Sequence, residues 1–391
     1  MLGEQLAAAL RRREALGTRR HLLLGDADTA ARFEKCADFS SNDYLSIARS
    51  SEGRAGLVER ITAQRLAMGS TGSRLLDGDS AQHTQMEARI ARHFHGESAL
   101  LFNSGYDANV SLLTTLPQPG DVVVYDALVH ASMHDGMRAS RAMACRSFGH
   151  NDPRDLDRVL GSMAREGNVF LALESVYSMD GTVCCLDELI AVLQKHVPYE
   201  RQCVLVDEAH AVGVYGAKGS GLVAALGRYD DVAVRLVTFG KALGCAGAAV
   251  LCPPLWREYL LNYARPLIYS TSLAPPSVAA IDAVLDILDK DSVRQDVVHA
   301  RTRRMYSALG RHAPPHGRVP ASPIVPYRTP HAKAMAAFLQ EQGFLVRGVC
   351  YPTVPRGEER VRICIHTHNT DAEIDALAAA IAQWNAKRAV L

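Results

Sequence analysis

The stretch CVLVDEAHAVG, at residues 203–213, is an apolar run that leads directly into an acid, Asp207, and a histidine, His210. A second apolar stretch, VRLVTFGKALGCAGAA at residues 234–249, leads into Lys241 and continues with small residues. Short apolar runs of this kind are typical of strands that are buried on both faces of a parallel sheet. The two stretches therefore predict buried strands with charged side chains at their ends.

The same alternation of short apolar runs and helical patterns continues on both sides of these stretches. Further strands are predicted at Ala99 to Phe102, Val122 to Tyr125, Val169 to Leu173 and Ala248 to Cys252. The pattern predicts an α/β fold with a mostly parallel central sheet covered by helices. Ligands bind such sheets beyond the carboxyl ends of the strands. The residues at those ends are Gly105, Asp126 to His130, Glu174 to Ser178, Asp207 to His210 and Lys241.

Composition and charge exclude several classes of protein. The 391 residues are 48% hydrophobic and 22% charged, which is ordinary for a globular protein. Forty-three basic residues against 42 acidic ones leave a net charge of +1, without the basic excess of a nucleic-acid-binding protein. Nine scattered cysteines predict free thiols in a reducing compartment, and no apolar run has the length of a membrane helix. We therefore predict a cytoplasmic protein that binds no nucleic acid, membrane or metal.

Asp207 and Lys241 each allow several interpretations when taken alone. Asp207 fits a metal ligand, a Walker-B acid, a partner of a ring nitrogen or a simple turn cap, but the chain lacks the G-x-x-x-x-G-K-[ST] motif that a Walker-B acid requires. Lys241 fits a Schiff-base lysine or an ordinary surface lysine. Together they are far more specific, because pyridoxal phosphate needs both a Schiff-base lysine and an acid for its pyridinium nitrogen.

A phosphate site is predicted beside this pair. The segment SGYDAN, residues 104–109, places Gly105 and the amides that follow it between a strand end and a helix N-terminus, which is a natural anion site. Thr238 adds a hydroxyl donor three residues before Lys241. His130 follows another strand end and could stack on the cofactor ring, although a lone histidine is more often structural.

Nearly the whole chain resembles the α-oxoamine synthases of the fold-type-I pyridoxal phosphate superfamily. Besides the stretches above, the matching segments are FSSNDYLSIA (39–48), GSTGSRLLDG (69–78), ESVYSMDG (174–181), YARPLIYSTS (263–272) and YPTVPRGEERVRI (351–363). The resemblance implies a fold-type-I transferase that binds pyridoxal 5'-phosphate and forms a homodimer. One departure from the family is Ser46, which replaces the usual glycine of NDYLG and predicts a local difference in the N-terminal substrate segment.

The pattern of predicted helices and strands changes after about residue 285. Helical patterns at Asp282 to Leu309, His331 to Gln342 and Asp371 to Lys387 flank short predicted strands near Phe344 to Val349 and Val361 to Ile365. We therefore predict an N-terminal segment (1–45), a large domain that binds pyridoxal phosphate (46–285) and a smaller α+β C-terminal domain (286–391).

The resemblance also implies catalytic roles. Lys241 would hold the cofactor covalently and move the α-proton of the substrate. Asp207 would keep the pyridinium nitrogen protonated, and His210 would hydrogen-bond the phenolic oxygen of the ring. His130 would stack on the ring face, and Ser178 would help to hold the ring from a neighbouring strand.

Binding roles follow from the same resemblance. The residues implied to bind the cofactor phosphate are Gly105, Tyr106 and Thr238. Ser270 and Thr271 match a segment that reaches the phosphate of a partner subunit. Arg362 is implied to bind the carboxylate of the amino acid through a bidentate fork. Arg19 and Thr353 match positions near the acyl substrate.

Within the family, the segments are most similar to the branch that condenses L-alanine with pimeloyl-CoA, or with a pimeloyl carrier protein, in biotin biosynthesis. This reaction releases CoA and CO2. A sister synthase that uses glycine or serine with another acyl-CoA is the alternative. A non-catalytic partner subunit on the same fold is disfavoured, because such a protein is expected to lose the cofactor lysine and this chain keeps both Lys241 and Asp207.

Overall fold

The computed structural model describes residues 1–20, 33–163, 166–314 and 318–389. Its strands, in chain order, are β1 (Ala37–Asp38), β2 (Ser98–Phe102), β3 (Val122–Asp126), β4 (Ala144–Phe148), β5 (Val169–Glu174), β6 (Gln202–Asp207), β7 (Val234–Thr238), β8 (Ala248–Cys252), β9 (Ile324–Arg328), β10 (Phe344–Leu345), β11 (Arg347–Val349) and β12 (Arg360–Cys364). Its α-helices are α1 (Leu2–Ala15), α2 (Ser51–Gln64), α3 (Ala81–His93), α4 (Gly105–Thr115), α5 (Ala131–Arg138), α6 (Pro153–Gly161), α7 (Leu186–His196), α8 (Leu222–Leu226), α9 (Pro254–Tyr263), α10 (Arg265–Ile268), α11 (Pro275–Lys290), α12 (Val293–Ala308), α13 (Ala332–Glu341) and α14 (Asp371–Ala389).

Seven strands form the central sheet, in the order β2-β8-β7-β6-β5-β3-β4. Within it, β8 pairs antiparallel with both of its neighbours and the other pairs are parallel. The middle strands β5, β6 and β7 are buried over nearly their whole length, because helices cover both faces of the sheet. The predicted α/β fold with a mostly parallel central sheet is confirmed.

The apolar patterns predict six strands of this sheet and miss the edge strand β4. Its sequence, ACRSF, carries no continuous apolar run, and Arg146 and Ser147 are exposed. Because an edge strand has a neighbour on one side only, part of it faces solvent, and the continuous apolar pattern of a central strand is lost.

The C-terminal part contains a second sheet of three antiparallel strands, in the order β11-β12-β9. The single long helix predicted from Asp282 to Leu309 is wrong, since α11 ends at Lys290 and α12 begins at Val293. The carboxylate of Asp291, one residue before the N-cap, accepts hydrogen bonds from the backbone N–H groups of Val293 at 2.8 Å and Arg294 at 3.3 Å, which are the first two N–H groups of the second helix. The predicted domain division at residues 285/286 falls inside α11 and stays a prediction.

The carboxyl ends of β5, β6 and β7 lie at one edge of the central sheet. Glu174 pairs in register with Asp207, and Asp207 pairs with Leu236. All nine cysteines are free thiols. No described helix combines the length and the apolar character needed to cross a membrane. Within the described ranges, no group of three or more His, Cys, Asp or Glu side chains could hold a metal ion.

Candidate active site

Asp207 stands at the end of β6 with its carboxylate fixed from two sides. It is 5% exposed. Its Oδ2 accepts a hydrogen bond from Asn109 Nδ2 at 2.7 Å, and its Oδ1 accepts one from the backbone N–H of Ala209 at 2.9 Å. Both bonds stabilise the negative charge and set the orientation of the group. Asn109 belongs to α4 and is the last residue of the segment SGYDAN, but its contact with Asp207 was not predicted from the sequence.

Lys241 follows β7 by three residues and is half-buried. Burial lowers the pKa of its ammonium group, while the carboxyl groups of Asp207 and Glu174 oppose this effect. A lower pKa increases the neutral, nucleophilic fraction of the amine at a given pH, which is the state that attacks a carbonyl carbon.

His210 is buried beside Lys241 and is held by a tyrosine from the N-terminal part of the chain. Its Nδ1 lies 2.7 Å from the hydroxyl of Tyr44. Burial lowers the pKa of His210 well below its usual range, and the positive charges of Lys241 and Arg362 lower it further. The ring is therefore neutral at neutral pH, and Tyr44 fixes its orientation. Tyr44 is a site residue that no local pattern in the sequence predicted.

His130 caps the N-terminus of α5 and is linked to Asp207 through side chains. Its Nδ1 accepts a hydrogen bond from the backbone N–H of Ser132 at 3.2 Å and lies 2.8 Å from Ser132 Oγ. Asn109 Nδ2 donates to the same Ser132 Oγ at 3.0 Å. Because Nδ1 acts as the acceptor, we assign the ring proton to Nε2. The pKa of His130 is lowered by desolvation of the ring, which favours the neutral form.

The predicted phosphate cradle lies between α4 and β7. Gly105 is the first residue of α4, and a Cβ atom built there would lie 3.6 Å from Thr238 Cβ, so the two residues are in contact. Ser104 caps the helix by accepting from the backbone N–H of Asp107 at 3.1 Å. In the part of the chain that the structure describes, the N–H groups of Gly105 and Tyr106 have no acceptor. Free N–H groups at a helix N-terminus attract an anion.

Three more of the predicted residues surround this cradle. The side chain of Tyr106 is exposed, and its hydroxyl is bound to Asp135. Its backbone N–H is therefore the group that can face a phosphate. Ser270 is half-buried and Thr271 is exposed, and the carbonyl of Thr271 accepts from Asn103 Nδ2 at 2.8 Å. Their contact with the phosphate of a partner subunit stays a prediction.

Arg362, on β12, connects the C-terminal sheet to the site. It is 8% exposed. Its Nε donates to the backbone carbonyl of Ser178 at 2.7 Å, and its Nη2 donates to Asn42 Oδ1 at 3.1 Å. Nη2 also lies 3.4 Å from the hydroxyl of Tyr44. A bidentate contact with a substrate carboxylate therefore requires Asn42 and Tyr44 to give up these bonds.

Arg19 and Thr353 are both exposed and make no described contact with the residues above. Arg19 Nη1 pairs with Glu14 Oε2 at 3.2 Å. The chain segments that carry them do meet. One surface groove is lined by Gly17 and Thr18 on one side, and by Tyr351 and Arg356 on the other.

Glu174 is a buried acid at this edge, one of the strand-end residues for which the sequence predicted no specific role. It is 3% exposed and stands at the end of β5, next to Asp207. Burial raises the pKa of Glu174 well above its usual range, and the negative charge of Asp207 raises it further. Both effects favour the protonated form of Glu174.

The donor set fits pyridoxal phosphate. An amine of lowered pKa, a fixed carboxylate, a neutral histidine and unpartnered N–H groups at a helix N-terminus lie at one edge of the sheet. Each of these groups has a counterpart on the cofactor, which carries an aldehyde, a pyridinium nitrogen, a phenolic oxygen and a phosphate.

Comparisons with known proteins show the family to which the chain belongs. The profile of the family described as aminotransferase class I and II matches residues 34–381. The 8-amino-7-oxononanoate synthase of Emericella nidulans is 43% identical over 98% of this chain and 96% of the relative. The aminoacyl transferase sphA of Byssochlamys spectabilis is 35% identical over 88% of this chain and 80% of the relative.

Two solved structures are similar to this chain over most of its length. A serine palmitoyltransferase from S. paucimobilis, solved with a bound PLP–myriocin aldimine, superimposes with a TM-score of 0.82 at 27% identity and covers 91% of this chain and 89% of its own. The 8-amino-7-oxononanoate synthase from Francisella tularensis gives a TM-score of 0.75 at 25% identity, over 92% of this chain and 100% of its own. The fold and the cofactor, pyridoxal phosphate, are thus those expected from the sequence.

Proposed function

This chain belongs to the class I and II aminotransferase family and, within it, to the α-oxoamine synthases, and we propose that it condenses L-alanine with a pimeloyl thioester to give 8-amino-7-oxononanoate and CO2. It is a pyridoxal-phosphate-dependent acyltransferase. The proposal on substrates rests on the whole-chain likeness to 8-amino-7-oxononanoate synthases. The acyl carrier in this proposal is CoA or a carrier protein, and the pathway is biotin biosynthesis.

The proposed chemistry uses the residues at the carboxyl edge of the sheet. Bound pyridoxal phosphate withdraws electrons from the α-carbon of the amino acid. Lys241 attaches the cofactor and then takes and returns the α-proton with its Nζ, for which a lowered pKa is suited. Asp207, fixed by Asn109, keeps the ring nitrogen protonated. His210 hydrogen-bonds the phenolic oxygen, and its own bond to Tyr44 holds the imidazole ring in place.

In this proposal the two substrates are bound by different residues. We assign the alanine carboxylate to Arg362, which exchanges its bonds with Asn42 and Tyr44 for the carboxylate oxygens. We assign the acyl chain to the groove beside Arg19 and Thr353. His130 and Ser178 hold the ring in this proposal, Gly105, Tyr106 and Thr238 hold the phosphate, and Ser270 and Thr271 complete the site of the second subunit of a cytoplasmic homodimer.

A sister activity is the second candidate. It is favoured by the likeness to the aminoacyl transferase sphA and by the superposition on serine palmitoyltransferase. In that case serine or glycine replaces alanine, and another acyl thioester replaces the pimeloyl one. The carboxyl-edge residues keep the same roles, because the two reactions differ in the groups that the substrates carry and not in the bonds that form.

Turnover assays separate the two candidates. Purified holoenzyme is incubated with pimeloyl-CoA and, in turn, L-alanine, glycine and L-serine, and CoA release and product mass are measured. The proposal predicts CoA release with alanine at the highest kcat/KM and a product with the mass of 8-amino-7-oxononanoate. Selective turnover of serine or glycine contradicts the alanine assignment. A Lys241→Ala variant controls for uncatalysed thioester hydrolysis.

A further inference from the structure

Glu174 Oε1 is a buried polar atom without a hydrogen-bond partner in the described structure. The residue is 3% exposed and ends β5 in register with Asp207 on β6. The backbone N–H of His130 contacts its carboxyl group. Buried polar atoms in folded proteins are almost always hydrogen-bonded, so an unpartnered one at an active site points to a group that binds there.

The strand order tells which edge of the cofactor Glu174 faces. Asp207 is on β6, Thr238 of the phosphate cradle is on β7 to one side, and Glu174 is on β5 to the other. In pyridoxal phosphate, the phosphate arm and the phenolic oxygen lie on opposite sides of the axis through the ring nitrogen and the aldehyde carbon. With the nitrogen at Asp207 and the phosphate towards β7, the phenolic oxygen is directed towards β5 and therefore towards Glu174.

Glu174 is able to donate a hydrogen bond at that edge. Burial raises its pKa well above the usual range, and the charges of Asp207 and Asp126 act in the same direction. The ammonium group of Lys241 and the backbone N–H of His130 act in the opposite direction. A protonated carboxyl group carries one O–H donor, whereas an ionised one only accepts.

We propose that Glu174 is a further cofactor-binding residue, whose Oε1–H donates a hydrogen bond to the phenolic oxygen of bound pyridoxal phosphate. The inference rests on the proposed function, because it places the cofactor by Lys241, Asp207 and Thr238. It gives the phenolic oxygen two donors, Glu174 and the neutral ring of His210. Donors at this oxygen draw negative charge away from the neighbouring nitrogen of Lys241 and so make its proton easier to lose.

The test is a pH titration of the visible absorption of the holoenzyme. Glu174→Met removes the donor and keeps an unbranched side chain of similar size. It is expected to raise the midpoint of the spectral change by about one pH unit, since a hydrogen bond to a charged group is lost. Glu174→Gln keeps an N–H donor and is expected to stay close to wild type. Glu188→Gln, on the exposed first turn of α7, is the matched control and is expected to leave the midpoint unchanged.

An unchanged or lowered midpoint in Glu174→Met overturns the proposal. Glu174→Ala, which leaves a cavity instead of a new side chain, gives the same measurement if the methionine variant does not fold. Failure of the wild-type protein to bind the cofactor is a different result, because it contradicts the proposed function and not the role of Glu174 alone.

A cofactor analogue identifies the atom that Glu174 contacts. 3-Deoxypyridoxal phosphate lacks the phenolic oxygen. Glu174→Met is expected to weaken binding of pyridoxal phosphate about tenfold and to leave binding of the analogue unchanged. Equal weakening of both ligands shows that the contact is not with this oxygen and overturns the proposal.

Discussion

Ser46 occupies a backbone position that normally requires glycine, and its side chain compensates for this. Its φ is 55°, in the left-handed region. Its Oγ lies 2.8 Å from His368 Nδ1 and accepts from the backbone N–H of His368 at 3.1 Å. These bonds tie the segment that carries Asn42 and Tyr44 to the C-terminal part of the chain, next to Arg362.

Two substitutions separate the strain from the hydrogen bonds. Ser46→Ala keeps the left-handed conformation and loses both bonds, which predicts a loss of about 1 kcal/mol, since His368 is exposed and can bind water instead. Ser46→Gly loses the same bonds but removes a backbone strain of roughly 1–2 kcal/mol. The glycine variant is therefore expected to match or exceed wild type in stability, and to exceed the alanine variant by roughly 1–2 kcal/mol.

The assay is urea unfolding of the apoprotein, followed by circular dichroism at neutral pH and again at acidic pH. Partial desolvation of the ring lowers the pKa of His368, and the neighbouring His366 lowers it further, so the ring is neutral at neutral pH and can accept the Ser46 proton. As the pH falls through that lowered pKa, the protonated Nδ1 becomes a donor to Ser46 Oγ, so the hydrogen bond reverses its direction and the difference between wild type and Ser46→Ala is expected to remain. An alanine variant as stable as the glycine variant would refute the reasoning.

Three further predictions concern the cofactor site. Asn109→Ala removes a donor to the charged Asp207, a loss of roughly 1.5–3 kcal/mol, and predicts a fall in kcat/KM of about tenfold to a hundredfold in the steady-state assay. Gly105→Ala adds a methyl group 3.6 Å from Thr238 Cβ, which is an ordinary van der Waals contact, so thermal stability should be kept. The Kd for pyridoxal phosphate, measured by fluorescence, should rise about tenfold. Because burial lowers the pKa of Lys241, the rate at which apoprotein takes up pyridoxal phosphate should rise with pH and level off below the pKa of roughly 10.4 of a free lysine; a rate that still climbs at that pH contradicts it.

The sequence predicted the site residues that lie at or near the ends of strands. Asp207 ends an apolar run, Lys241 and Gly105 follow such runs by three residues, and the strands bring these residues to one edge of the sheet. The fold class follows from the same runs. The edge strand β4 was not predicted because two of its five residues, Arg146 and Ser147, face solvent and interrupt the apolar pattern.

Contacts between distant parts of the chain could not be read from local patterns. Tyr44 and His210 are hydrogen-bonded although they lie 166 residues apart in the sequence, and Asn109 and Asp207 lie 98 residues apart. Glu174 was visible as a strand-end acid, but its unpartnered oxygen appears only once the neighbouring strand is in place. The sequence shows a continuous helical pattern across the break between α11 and α12. At this break the side chain of Asp291 accepts a hydrogen bond from the backbone N–H of Val293, at the start of the second helix.

The identity of the lysine that carries the cofactor tests the central claim most directly. Holoenzyme is reduced with sodium borohydride, which fixes pyridoxal phosphate on its lysine, and the digested peptides are examined by mass spectrometry. The account predicts the modification on the peptide that contains Lys241. Modification of another lysine, such as Lys218 or Lys333, would contradict it, because the carboxyl edge of the sheet would then not be the catalytic site.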